Sequence, residues 1–259
     1  MSVLDLARRS RDAQRADDSR FSELRTVSTH LLGLPFRGLS AVRNARAFHP
    51  DGVSFSGSLE RLLPDRYGIP LRSCEVTVRI SKGIGIPAGL PDVAGVAIRV
   101  PPLEVGATPW DLLLAGSATG VVGRMVPWPS TSWNDAHLSS LMPVKYQGRM
   151  WWLRARLTRP QMNGMSVADV RQAIDDHGVS LVLEHACGTA AFEPLAVVHS
   201  TTILQPSEEI DAFDPVLNSP ASVRPQPEWL RNLRLSAYRN SRAGRGIDNV
   251  RRGDRGRPT

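Results

Sequence analysis

VTVRISKGIGIPAGLPDVAGVAIRVPPLEVGATPWDLLLAG, residues 76–116, holds three short apolar runs separated by two stretches rich in glycine and proline. In the first run Val76, Val78 and Ile80 alternate with Thr77 and Arg79. Successive side chains of a strand point to opposite faces, so this period of two describes a strand with one buried face. VAGVAIRV (93–100) and WDLLLA (110–115) continue the theme, and the Gly/Pro clusters between the runs supply the turns. KGIGIPAG (82–89) lacks the Lys-Ser/Thr ending of a phosphate loop and reads as one of those turns.

The same pattern extends on both sides. Upstream, FHPDGVSFSGSLERL (48–62) carries Phe48, Val53, Phe55 and Leu59 among small residues. Downstream come MWWLRARL (150–157), VSLVLEHA (179–186) and AFEPLAVVHSTTIL (191–204). Seven or eight strands result, a number suited to a closed antiparallel barrel, because closure removes the exposed edges that invite aggregation. Ser166 with Asp169 three residues on has the form of a capping box, VADVRQAIDDH (167–177) a helical body, and Gly178 a stop. A second helix is expected over roughly 228–242, after the Pro-rich FDPVLNSPASVRPQP (213–227). The predicted class is α+β, mainly β: an antiparallel β-barrel with flanking helices.

Four parts follow from these readings. Residues 1–45 form a helical or partly disordered segment, 46–212 the barrel, 213–242 the linker and second helix, and 243–259 a basic disordered tail. The formal charge of +7 is mostly a property of the C-terminal end, since residues 239–259 hold seven arginines and two aspartates. An Arg/Gly tail without interleaved aromatic residues lacks the stacking groups of single-strand binders, so no specific nucleic acid is expected. No apolar run of eighteen residues and no apolar leader occur, which predicts a cytoplasmic protein without a membrane span. Cys74 and Cys187 have no partner at zinc spacing and are expected to be reduced, buried thiols. The sequence contains no HExxH pair, GxSxG elbow or Walker loop.

Three segments, in order, resemble stretches of the haem catalases. RAFHPDGVSFSG (46–57) is similar to the segment that carries the distal histidine. Residues 76–116 resemble the run of an Arg-Phe-Ser strand, an Asp-x-x-Gly-x-Ala-x-Lys/Arg strand and a Trp-Asp-Leu strand. FDPVLNSPASVRPQPEWLRNLRLSAYRNSRAGR (213–245) resembles the proximal segment, from Phe-Asp-Pro through Arg-Leu-x-x-Tyr, and is the most specific of the three. Residues 117–212 match only in being strand-rich. The chain is thus similar to the small catalase-related peroxidases, and the barrel expected is the catalase type.

The resemblance implies haem b with ferric iron, Tyr238 as its ligand and His49 as the acid/base on the opposite face. Arg234, four residues before Tyr238 on one helix face, would favour the phenolate of a phenol whose ordinary pKa is ~10. Arg46 and Arg79 match positions that reach the haem propionates, Ser81 matches the hydroxyl residue that supports the distal histidine, and Val53, Phe55 and Val78 would give an apolar lining. Peroxide and a small electron donor are the implied partners, and association into homo-oligomers is a further expectation. Read without the resemblance, Arg234 and Tyr238 make a surface helix contact, His49 is a turn histidine before Pro50, and Arg46 and Arg79 are solvated strand residues.

The pattern departs from the family directly after His49, where Pro50 and Asp51 replace the usual small and basic pair, and on the distal face. LLAGSATG, with Ala115, Gly116 and Ser117, stands where catalases carry a distal asparagine, and 104–133 contain no Asn or Gln. Peroxide would lose the amide that orients it, which argues against fast dismutation and for a peroxidase. A non-enzymatic haem-binding or haem-sensing protein, and a haem-free hydrolase such as a phosphodiesterase using His49 and Asp51, are the alternatives.

Overall fold

The computed structural model describes residues 52–83, 91–102, 104, 106–162, 164–205 and 213–226. Ten strands occur among them: β1 (Gly52–Arg61), β2 (Cys74–Lys82), β3 (Ala94–Val100), β4 (Trp110–Gly116), β5 (Leu138–Ser139), β6 (Val144–Tyr146), β7 (Arg149–Arg159), β8 (Ser180–Cys187), β9 (Glu193–Ile203) and β10 (Arg224–Pro225). Eight of them close on themselves in the order β1-β2-β3-β4-β5-β7-β8-β9, with β9 pairing back to β1. Every pairing is antiparallel. The short strands β6 and β10 lie outside the ring, β6 paired to β7 and β10 to β6.

Alternation decides what goes inside. Phe55, Val78, Ile98, Leu112, Leu153 and Leu183 are among the residues that fill the barrel, each 3 % exposed or less. An eight-stranded barrel has an interior about wide enough for side chains alone, so this is a packed core and not a channel. Each such side chain contributes about 1.5–3 kcal/mol on burial. Cys74 and Cys187 are free, but they are half-buried instead of buried. They stand at the first residue of β2 and the last of β8, at the ends of their strands, where fewer neighbours cover a side chain. Burial still pushes the Cys74 thiol above its usual pKa.

Helix α1 is a single turn (Gly120–Gly123), and α2 (Val167–Asp176) is the helix expected from the capping pair. Ser166 Oγ accepts a hydrogen bond from the Asp169 backbone N–H at 3.2 Å. Val167, Val170, Ala173 and Ile174 form its buried stripe and pack against β9, β1 and β2. Gly178 follows at φ +73°, a conformation that favours glycine and turns the chain into β8. The second helix expected over 228–242 lies outside the described residues. No helix among the described residues is long and apolar enough to cross a membrane.

Segment 213–218 is tied to the outside of the barrel by Asp111, which is 1 % exposed on β4. Its carboxylate accepts from Arg99 Nε and Nη2 of β3, each at 2.6 Å. Oδ2 also accepts from the Asp214 backbone N–H and from Asn218 Nδ2, both at 2.7 Å. The Asp111 N–H donates to Asn218 O at 2.9 Å. The Arg99 guanidinium sits 5.2 Å from the centre of the Phe213 ring, which completes the clamp.

Asp111 is buried and accepts four hydrogen bonds, all of which alanine would remove. Asp111→Ala is expected to lower the unfolding free energy by about 3–5 kcal/mol, read from urea denaturation. A loss below about 1 kcal/mol would put the clamp on the level of a surface ion pair and contradict this account.

Candidate functional site

On the outward face the register lines up small residues across five neighbouring strands. Gly52 is opposite Ser81, Ser81 opposite Gly95, Gly95 opposite Ala115, and Ala115 opposite Ser139. Ser81 is 6 % exposed, and Ala115 is half-buried. They stand two strands apart, roughly 9–10 Å at the usual strand spacing. Arg79 shares the face with Ser81, and its Nη1 lies 3.3 Å from Ser54 Oγ. The backbone of Gly52 passes so close that a Cβ there would come within 2.9 Å of Arg79 Nη2.

The other expected site residues divide into two sets. Val53, Phe55 and Val78 have no exposed surface and belong to the barrel interior, beneath the face that carries Arg79 and Ser81. His49, Asp51, Arg46, Arg234 and Tyr238 lie outside the described residues. No group of three or more metal-ligating side chains occurs among the described residues. That bears on zinc-type sites and not on haem, whose iron takes one or two axial ligands from a protein.

Beyond Ser139 the row runs into a charged cluster. Ser139 is opposite Arg154 of β7, and Arg154 opposite Glu184 of β8. Glu184 has no exposed surface and is shared by two guanidiniums: Arg154 Nε reaches Oε2 at 2.6 Å, and Arg156 Nη2 reaches Oε1 at 2.9 Å. A cavity of about 140 Å³ opens here, floored by Ser117, Ser139, Arg124 and Arg154 and rimmed by the exposed Val121 and Thr189. Burial, and then the neighbouring Arg154, hold the Arg124 pKa below its usual value.

Sequence reading passed over this cluster. Two signals for it exist in MWWLRARL and VSLVLEHA: arginines at alternate positions 154 and 156, which a strand places on one face, and a lone acid in an otherwise apolar neighbour. Arg124 carries no such signal, because its burial comes from Trp152 and Phe192, distant in sequence. The chain matches no family model, and no curated protein is similar to it.

A buried histidine lies at an end of the barrel. His185 on β8 is 5 % exposed and stacks on Trp151 with ring centres 5.0 Å apart. Gly68 lies against its edge, so close that a Cβ would meet His185 Cε1 at 1.9 Å. Arg61 gathers the carbonyls of Leu63 at 2.8 Å and Ile69 at 3.0 Å, which folds the 62–71 loop over this end. Burial, with the Arg61 charge adding to it, pushes the His185 pKa down to about 4 from 6.5.

Between these two values the unfolded chain binds a proton on this ring and the folded chain does not, so this contribution to stability is complete above about pH 6.5 and is lost as pH falls toward 4. The loss is on the order of 3 kcal/mol. His185→Leu is expected to flatten the unfolding free energy over that window relative to the unsubstituted protein. Parallel pH profiles of the two would contradict a buried neutral imidazole.

Proposed function

We propose that this chain binds haem b against the outer row and acts as a peroxidase toward hydrogen peroxide or an organic hydroperoxide, with little dismutation. One observation carries the reading. Ser81, matched to the hydroxyl that supports the distal histidine, and Ala115, which with Gly116 and Ser117 stands where catalases carry the distal asparagine, fall in the same row with Gly95 between them. A planar group needs a flat face, and a line of Gly, Ser and Ala offers one. The Asp111 clamp adds support, because it joins the Trp-Asp-Leu and Phe-Asp-Pro segments that the resemblance picked out separately. From there the chain runs on to Gln226, whose N–H donates to Pro143 O at 2.9 Å, immediately before the proposed ligand helix.

Haem would supply a redox-active ferric iron with one open position for peroxide. Tyr238 would hold the iron as a phenolate, with Arg234 stabilising the negative oxygen. His49, as a neutral imidazole, would take a proton from one peroxide oxygen and deliver it to the other. Ser81 would steady that imidazole by a hydrogen bond, and Arg79 and Arg46 would pair with the propionates. Val53 and Phe55 would stiffen the strand beneath without touching the cofactor. None of Ala115, Gly116 and Ser117 has an amide to orient peroxide, which is the reason for assigning slow turnover. The same substitution favours a second reading, a haem-binding or haem-sensing protein without turnover.

The test is the absorption spectrum of the full chain expressed with a haem precursor, beside Tyr238→Phe. A ferric tyrosinate spectrum that is lost in the variant is expected. His49→Ala should keep the spectrum and lower peroxide turnover by about 10²–10⁴-fold. A spectrum with no turnover in the unsubstituted chain selects the sensor reading, and a colourless protein that takes up no haem overturns both.

A further inference from the structure

The cavity beside Ser139 holds an arginine that has no counter-charge among the described residues. Arg124 follows α1 and is 4 % exposed. Its Nε donates to Val121 O at 3.0 Å, whereas Nη1 is buried without a hydrogen-bond partner. The guanidinium lies over the rings of Trp152 and Phe192, 5.0 and 5.3 Å from their centres. Arg154 lies over Phe192 as well, at 4.4 Å. Two cations thus converge on one ring, and Glu184 is already bonded to Arg154 and Arg156.

A guanidinium cannot discharge by losing its proton, and a buried charge without a partner is costly. An anion in the cavity would relieve that cost. The surroundings suit an oxyanion: Ser139 Oγ accepts from the Leu141 N–H at 3.2 Å, which leaves its own proton to donate inward. Ser117 spends its hydroxyl on His137 O at 3.2 Å and shapes the wall. At about 140 Å³ the space admits one small molecule or several waters, and the exposed rim at Val121 and Thr189 gives it access from solvent.

We propose that this cavity is a binding site for a small oxyanion, a carboxylate or an inorganic phosphate or sulfate, with Arg124 Nη1 and Ser139 Oγ as donors and Arg154 as the second positive charge. The cavity adjoins the row proposed for haem at Ser139, so the test is made on the full chain without added haem, where its outcome is independent of the haem reading.

The experiment is thermal unfolding of the full chain against rising phosphate, sulfate or acetate at constant ionic strength made up with chloride. A rise in Tm that grows with the logarithm of concentration above the Kd, reaching about 2–4 °C at roughly five times the Kd, is expected for at least one oxyanion. The oxyanion whose rise sets in at the lowest concentration separates a carboxylate ligand from an inorganic one. Arg124→Met should lose the rise, while its Tm in chloride alone stays level or increases, because a buried unpaired charge has been removed. Should that variant fail to fold, Ser139→Ala takes its place and should move the onset of the rise to about tenfold higher concentration, the effect of one hydrogen bond to a charged group. No rise beyond the chloride control, or an undiminished rise in whichever variant folds, would overturn the proposal.

Discussion

The Asp111 carboxylate organises the outside of this barrel, because it is the point where two distant parts of the chain are obliged to meet. A buried carboxylate demands hydrogen bonds on both oxygens, and the two N–H groups of Arg99 satisfy only part of that demand. The rest comes from the backbone of Asp214 and the side chain of Asn218, more than one hundred residues later. Asp214 in turn accepts from the N–H groups of Val216 and Leu217 at 2.9 and 3.1 Å, which fixes the local turn. The segment that leads toward Tyr238 is therefore positioned by the demands of one acid on β4.

The two faces of the strands obey different rules. Inside, the alternation of apolar residues gives a core with little polar content. Outside, charges are buried in specific sets: Asp111 with Arg99, and Glu184 with Arg154 and Arg156. Such pairs add little net stability over apolar packing, but losing one partner is expensive, so they fix which surface lies against which. Between the two sets run the small residues Gly95, Ala115 and Ser139.

Much of this was legible before any coordinates. The strands at 52–61, 74–82, 94–100, 110–116, 149–159, 180–187 and 193–203 follow from alternation, and the helix at 167–176 from Ser166 and Asp169. Closure was expected from the number of strands alone. The two-residue strand at Leu138–Ser139, which completes the ring, is too short to leave a periodic signal. The site was only partly legible. Ser81 and Arg79 lie on the outward face, but Val53 and Phe55 have the opposite parity and point into the core. The burial of Arg124 depends on rings brought in by β7 and by the turn before β9, a tertiary effect that no local pattern encodes.

The central claim is that haem lies against the row that includes Ala115. Haem titration of the full chain carrying Ala115→Phe, followed by absorbance beside the unsubstituted protein, tests it most directly. Ala115 is half-buried on the outward face, so the ring would stand over the strip and leave the barrel core untouched. The account predicts that the variant keeps its far-ultraviolet circular dichroism and loses haem uptake. Uptake equal to that of the unsubstituted chain, with the fold intact, would contradict it.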